Sequence, residues 1–196
     1  MKKIVIAALL GSSIMSTQVL AKDSVYIGLD ILTSNNEWTV DASNSANGAS
    51  ASADFDDDST GFKLKVGIEG SDGWRFQGYY LGETYDETVF DDTNDYLNEI
   101  GVDIIKGFEV TSKFSPFIQV GIGYGWMDVE GYTDDSINAV SMKVGGGAMY
   151  KVTENIELLA GIDLQYRKWE DIEIGTVTIE TEEESVKLYA GINYHF

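Results

Sequence analysis

From residue 24 onward, apolar and polar residues alternate with a period of two, and the alternation returns in eight separated segments. Successive side chains of a strand point to opposite faces, so each segment reads as a strand with one apolar face. In the first, Val25, Ile27, Leu29 and Ile31 alternate with Ser24, Tyr26, Gly28 and Asp30. Phe62, Leu64, Val66 and Ile68 do the same against Lys63, Lys65, Gly67 and Glu69. Trp74 to Leu81, Glu99 to Ile104 and Ile118 to Trp126 follow, then Val140 to Tyr150, Ile156 to Arg167 and Val186 to Phe196. No helical period competes with them. Three connections are short, "GSDG", "GFEVTSK" and "KVTEN"; the other four run about 34–60, 83–95, 127–139 and 169–184. Short and long connections fall on opposite rims. The pattern predicts an all-β fold: an eight-stranded antiparallel up-and-down transmembrane β-barrel with short periplasmic turns and long extracellular loops.

The content of the two faces decides which way they look. A soluble, ligand-holding barrel turns its apolar face inward, whereas here the polar face carries glycines and paired charges that suit a tight lumen. The apolar face carries aromatic residues at both ends. Trp74, Phe76, Tyr150, Tyr194 and Phe196 fall near the short-turn rim; Phe62, Tyr80, Tyr96, Tyr124, Trp126 and Tyr166 fall near the long-loop rim. Two aromatic belts on one face are expected of a wall in contact with lipid. Asn98, Gly78 and Gly82 on that face, and Leu81, Ile105 and Leu159 on the other, break the pattern.

The opening "MKKIVIAALLGSSIMSTQVLA" reads as a signal peptide over residues 1–21, with Lys2 and Lys3 before an apolar run and Val19-Leu20-Ala21 as the cleavage site. Residues 22–196 form the expected barrel domain, exported to the cell outer membrane. No later segment holds the roughly 20 continuous apolar residues of a membrane helix. The chain has no Cys, which removes disulfides, thiolate zinc sites and thiol nucleophiles. Its net charge of -20 repels nucleic acid and anionic headgroups and favours cations or cation-bridged surfaces as partners.

The signal peptide, the eight segments, "SPFIQVGIGYGW", "VGGGAMYKVTENIELLAGIDLQYR" and the closing "GINYHF" together resemble the small outer-membrane β-barrel family of Gram-negative bacteria, which includes the transmembrane domain of outer membrane protein A. The resemblance implies insertion by the barrel-assembly machinery, which reads a last strand ending in Phe. That signal falls on Leu188, Ala190, Ile192, Tyr194 and Phe196. It also implies contact with outer-membrane lipid and lipopolysaccharide. No peptidoglycan-binding domain follows, so tethering to the cell wall is not implied.

Charge sorts by segment. The four long connections hold most of the acidic residues and no Lys or Arg. The polar face of the strands holds six bases (Lys63, Lys65, Arg75, Lys143, Arg167, Lys187) and six acids (Asp30, Glu69, Glu99, Asp103, Glu157, Asp163). A lumen this narrow is filled by its side chains, and desolvated charges must be partnered, so these twelve predict an interlocked salt-bridge plug; separate side chains around a water thread is the competing picture. In "DFDDDST", Asp54, Asp56 and Asp58 recur at the spacing of calcium loops, a weak candidate for a loop cation site, although Ser59 stands at the glycine position of such loops and Lys65 at the bidentate acid position. A solvated, self-repelling face is the leading reading of these acidic residues. Near the end, Ile172 and Ile174 face Val177 and Ile179 across Gly175-Thr176 as a hairpin of its own, whose protruding edge suits oligomer contact or adhesion, or is equally a rigid decoration without a partner.

Small barrels that act as lipid-modifying enzymes or proteases use a His toward the outer leaflet. Here the single His, His195, falls in the lumen at the periplasmic rim, and the loop pair Asp134 and Asp135 has nothing to orient it. The sequence therefore predicts a non-enzymatic barrel without cofactor, serving envelope integrity and presenting acidic loops for interaction or adhesion, with a small-solute porin as the first alternative and an outer-membrane lipid-modifying enzyme as the last.

Overall fold

The computed structural model describes residues 24–87, 90, 95–129 and 136–196. The expected signal peptide and the Asp134–Asp135 pair lie outside the described residues. Nine strands appear among them: β1 (Ser24–Asn44), β2 (Ser50–Glu69), β3 (Trp74–Tyr85), β4 (Tyr96–Gly107), β5 (Phe114–Asp128), β6 (Ser136–Lys151), β7 (Ile156–Trp169), β8 (Ile172–Ile174) and β9 (Val177–His195). Each of β1 to β6 pairs antiparallel with the next, β7 pairs with β9, and β9 pairs with β1, so eight strands form a closed ring. Closure leaves no open edge in the hydrocarbon, where an unpaired backbone group costs several kcal/mol. The ninth strand, β8, lies outside the ring and among the described residues pairs with β9 alone, Ile172 opposite Ile179 and Ile174 opposite Val177, across a turn in which Gly175 has φ of 66°.

The walls follow the alternation. Ile27, Leu29 and Ile31 on β1, Val102 and Ile104 on β4, and Leu188, Ile192 and Tyr194 on β9 all face outward and are exposed. Their even-numbered or odd-numbered neighbours are buried in the lumen. Space for large lumen side chains comes from glycines on the opposing wall: a Cβ on Gly67 would strike the ring of Tyr26, and one on Gly161 the hydroxyl of Tyr189. The exceptions to the pattern have a use here. Leu81, Ile105 and Leu159 pack with Leu32, Tyr79, Phe117, Met149 and Tyr189 into an apolar layer inside the barrel.

Two expected loops are strands instead. The connection placed at about 34–60 is mostly β1 and β2, which are 21 and 20 residues long, and residues 45–49 alone turn between them. A membrane strand needs only about 9–11 residues, so β1 and β2 run to nearly twice the membrane's height. β9 follows β1 upward to Val177, and the connection placed at 169–184 becomes β8 and the upper part of β9. Likewise Glu83 belongs to β3 and not to a loop. Hydrophobic alternation fades here because neither face of the upper sheet meets lipid, while the backbone pairing continues unchanged.

Candidate functional site: the barrel lumen and its outer mouth

Inward parity brings charged residues from facing strands into reach of one another in four levels. At the periplasmic end, Arg75 on β3 grips Glu157 on β7 through two hydrogen bonds of 2.6 and 2.9 Å and also reaches Glu69 at 3.1 Å. Asn193 donates to the same Glu157 at 2.8 Å. Above them Lys65 donates to Asp30 at 2.6 Å, with Lys63 at 3.7 Å from the other oxygen. In the middle, Lys143 pairs with Asp103 at 2.9 Å and lies 3.9 Å over the ring of Tyr79. Toward the outside, Arg167 on β7 spans three acids: Glu183 at 2.6 Å, Glu99 at 3.1 Å and Glu83 at 3.6 Å. Lys187 completes that level by donating to Glu83 at 2.5 and 2.6 Å.

Of the twelve residues assigned to the lumen from the sequence, eleven are buried and Glu69 is partly so. All but Asp163 enter ion pairs; Asp163 instead accepts from Gln119 at 2.5 Å. The even balance of six bases and six acids does not hold. Glu83 and Glu183, counted among the loops, are fully buried and bring the lumen acids to a surplus over Lys and Arg. Their signal was present in the sequence, since 183 continues the inward parity of Ser185 and Lys187, and 83 that of Leu81.

An aromatic cap closes the outer end. Trp38 and Trp169 stack at 5.7 Å, Tyr85 meets Trp38 edge-on at 5.4 Å, and Phe90 lies 4.9 Å from Trp169. Leu97, Met127 and Ile137 pack beneath. Around Asp30, Lys63, Arg75 and Asn193 the lumen holds a cavity of about 10 Å³, room for about one water.

His195 sits where parity placed it, buried at the periplasmic rim. Its Nδ1 is 3.2 Å from Ser24 Oγ and 3.6 Å from Glu69, and its Nε2 is 3.6 Å from Glu157. Ser24 was not singled out by the sequence, and a Ser, a His and carboxylates together invite comparison with a hydrolase. Both carboxylates stand 3.6 Å from the imidazole, longer than a hydrogen bond, and Glu157 is already held by Arg75 and Asn193.

Asp54, Asp56 and Asp58 do not form the loop cation site considered from the sequence. They lie on one outward face of β2, spaced roughly 6–7 Å apart as alternate strand residues are, and not wrapped around a common point. Asp58 accepts from Asn35 at 3.1 Å and Asp54 from Thr39 at 3.0 Å. Among the described residues, no group of three or more His, Cys, Asp or Glu side chains is placed to hold a metal ion. The register puts Asp56, Glu37 and Glu184 side by side on β2, β1 and β9. Asp54, Asp58, Asp41, Glu180 and Glu182 share that outward face, giving a strongly acidic sheet outside the membrane. Lys168 answers part of it, hydrogen-bonded to Glu180 at 3.1 Å and Glu182 at 3.3 Å. Burial works to lower its pKa, but those two carboxylates outweigh it and the net shift is upward. On the inner side of the same sheet, burial pushes Asp57 up against the hydrogen bonds it accepts from the backbone of Glu87 and Asp58, and the charges of Asp86 and Glu87 add to the rise.

Leu188, Ala190, Ile192 and Tyr194 face outward along β9, as does Phe196 just past its end, and Tyr194 and Phe196 meet edge to face at 5.1 Å.

A closed antiparallel ring with an apolar, aromatic-belted outside and a charged, filled inside defines a transmembrane β-barrel. The family model for the outer membrane protein beta-barrel domain matches residues 4–196, and the chain belongs to that family. No curated protein sequence matches it. Among solved structures it is similar to Neisserial surface protein A (21% identity, 85% of this chain and 97% of that one, TM-score 0.53). It is also similar to OprG of Pseudomonas aeruginosa (12% identity, 90% and 96%, TM-score 0.59) and to OprH of P. aeruginosa (13% identity, 88% and 99%, TM-score 0.50). At these identities the likeness is one of fold. The protein is an outer-membrane β-barrel.

Proposed function

We propose that this protein is a non-enzymatic barrel whose filled lumen serves as an anchor and whose outer sheet is its working surface. The observation that carries this reading is the sheet β2–β1–β9–β8 standing above the ring with its two tips tied together. Ser45 N–H donates to Thr176 O at 2.9 Å, and Thr176 Oγ1 to Asn44 at 3.2 Å, which joins the β1–β2 turn to the β8–β9 turn. A sheet held in one shape loses little entropy when it binds, so it suits recognition better than a floppy loop would. Its acidic outer face favours cationic partners or surfaces bridged by cations, lipopolysaccharide among them. The outward Leu188 to Phe196 stripe is the segment that the barrel-assembly machinery would engage, after which the barrel contributes to envelope integrity.

The packed lumen argues against a small-solute porin, and the clamped Glu157 beside His195 argues against an enzyme. The test is to trim the sheet to the rim by replacing residues 39–53 and 171–180 with short Gly-Ser turns. The trimmed barrel is expected to assemble and to lose binding of cells to cationic surfaces, and neither it nor the wild type is expected to conduct steadily in planar bilayers. Unchanged binding, or large steady pores from the wild type, would refute the proposal.

A further inference from the structure

The small lumen cavity lies in the periplasmic half, and the groups around it are mismatched in a particular way. Among the described residues, Asp30 Oδ2 and Asn193 Oδ1 are buried acceptors without a hydrogen-bond donor, and Arg75 Nε is a buried donor without an acceptor. Lys63 adds a second source of donors. Among the described residues its buried ammonium has the 3.7 Å ion pair to Asp30 and the ring faces of Tyr79 and Tyr189, and no hydrogen bond. All four residues line the same cavity. Orphaned acceptors alone would ask for a cation, and orphaned donors alone for an anion. Donors and acceptors around one water-sized space ask for a molecule that is both.

Access is one-sided. A vestibule of about 430 Å³ opens at the periplasmic rim between the β2–β3 and β4–β5 turns, lined by Ser24, Glu69, Glu109 and Lys151 among others. Arg75 and Met149 line both the vestibule and the cavity, so the wall between them is one side chain thick. Outward from the cavity stand the Lys143 level, the Arg167 level and the aromatic cap.

We propose that the periplasmic half of the lumen is an aqueous dead end: periplasmic water passes Arg75 and Met149 and occupies a hydration site built by Asp30, Lys63, Arg75 and Asn193. A buried water makes about three hydrogen bonds, and the three unpartnered atoms of Asp30, Arg75 and Asn193, with the Lys63 ammonium beside them, supply them. The barrel is thus wet from the periplasm and dry toward the outside, and the permeability barrier lies in its outer half.

Radiolytic labelling in ¹⁸O-water, applied to protein purified from outer membranes, reads this directly, because hydroxyl radicals made from bound water oxidise the side chains touching it. Tyr26, Phe117 and Tyr189 line the cavity, whereas Tyr85 and Trp38 are equally buried in the outer half. The expected result is ¹⁸O label on Tyr26, Phe117 and Tyr189 with none on Tyr85 and Trp38. Lys63→Met, checked for assembly by heat-modified gel mobility, is expected to lose the label at Tyr189. Equal labelling of both halves, or no label on the cavity residues of the wild type, overturns the proposal whether or not the variant assembles; label at Tyr189 that persists in an assembled Lys63→Met barrel overturns the site.

Discussion

Replacing Arg167 by Met keeps most of the side chain's apolar length and removes the charge. Arg167 is fully buried, and among the described residues it is the only base paired with Glu99 and with Glu183; Glu83 keeps Lys187. After the change, Glu99 retains Tyr79 and Gln165 as donors, and Glu183 retains Tyr85, Trp169 and Ser185. These are neutral donors. They soften the loss but leave two carboxylates in a water-poor lumen with no cation, a situation that costs about 3–5 kcal/mol. With a urea m-value of about 2 kcal/mol/M, the unfolding midpoint of the refolded barrel, followed by tryptophan fluorescence, falls by roughly 2 M. The double variant Arg167→Met/Glu183→Gln removes one of the stranded charges, so it recovers at least about 1 kcal/mol relative to the sum of the single effects. A loss under about 1 kcal/mol for the single variant, or strict additivity in the cycle, would show that lumen water and not the carboxylates solvates Arg167.

Asp57 is buried beneath the outer sheet with a pKa above the ordinary 3.8, so the folded chain holds its proton more tightly than the unfolded one. Stability therefore rises as pH falls through the raised folded value toward 3.8, and the cost is fully present at neutral pH. Asp57→Asn removes this pH dependence and supplies a donor for the orphaned Asn36 Oδ1 opposite it, a gain of about 1 kcal/mol in urea melts at pH 7; a loss at pH 7 contradicts it. Glu37 lies between Asp56 and Glu184 on adjacent strands, and Glu37→Gln relieves two like-charge contacts. That change stabilises the outer sheet by about 0.2–1 kcal/mol at low salt, measured by hydrogen exchange of β1, and the gain shrinks as salt is added. Trp38→Ala opens the aromatic cap at a cost of about 3–5 kcal/mol, seen as a lower urea midpoint with the β7–β9 seam still paired.

The lipid explains how much of this was legible in the sequence. Wherever one face of a strand meets hydrocarbon, as at Val25 to Ile31 or Val186 to Phe196, alternation of hydrophobicity reports the strand, its parity and its lumen residues at once. Beyond the membrane both faces are polar or mixed, and "NNEWTVDASN" reads as a loop although it is the upper half of β1. The same blindness moved Glu83, Glu183, Trp38 and Trp169 into loops, because composition and not parity set the loop boundaries. Parity alone would have recovered them: 34, 36 and 38 continue inward on β1, and 165, 167 and 169 on β7. Which acid pairs with which base could not be read this way. Arg75 meets Glu157 across the lumen from β3 to β7, a contact set by the closure and shear of the ring and not by neighbouring register.

Strand length, more than loop sequence, separates the anchor from the working surface. Eight strands of about ten residues would close a barrel in the membrane, and extending only β1, β2 and β9 lifts a sheet out of one side of it. The extension also accounts for the acid surplus inside. Each extended strand carries its alternation past the rim, so the inward position after Ser185 on β9 is Glu183, and it must either find a base or be protonated. Arg167, already committed to Glu99, accepts the additional partner because a guanidinium can serve several carboxylates in different directions, which a lysine ammonium does less well. The outermost charged level of the lumen is therefore where the demands of the membrane barrel and of the protruding sheet meet in one side chain, and where a single substitution tests both.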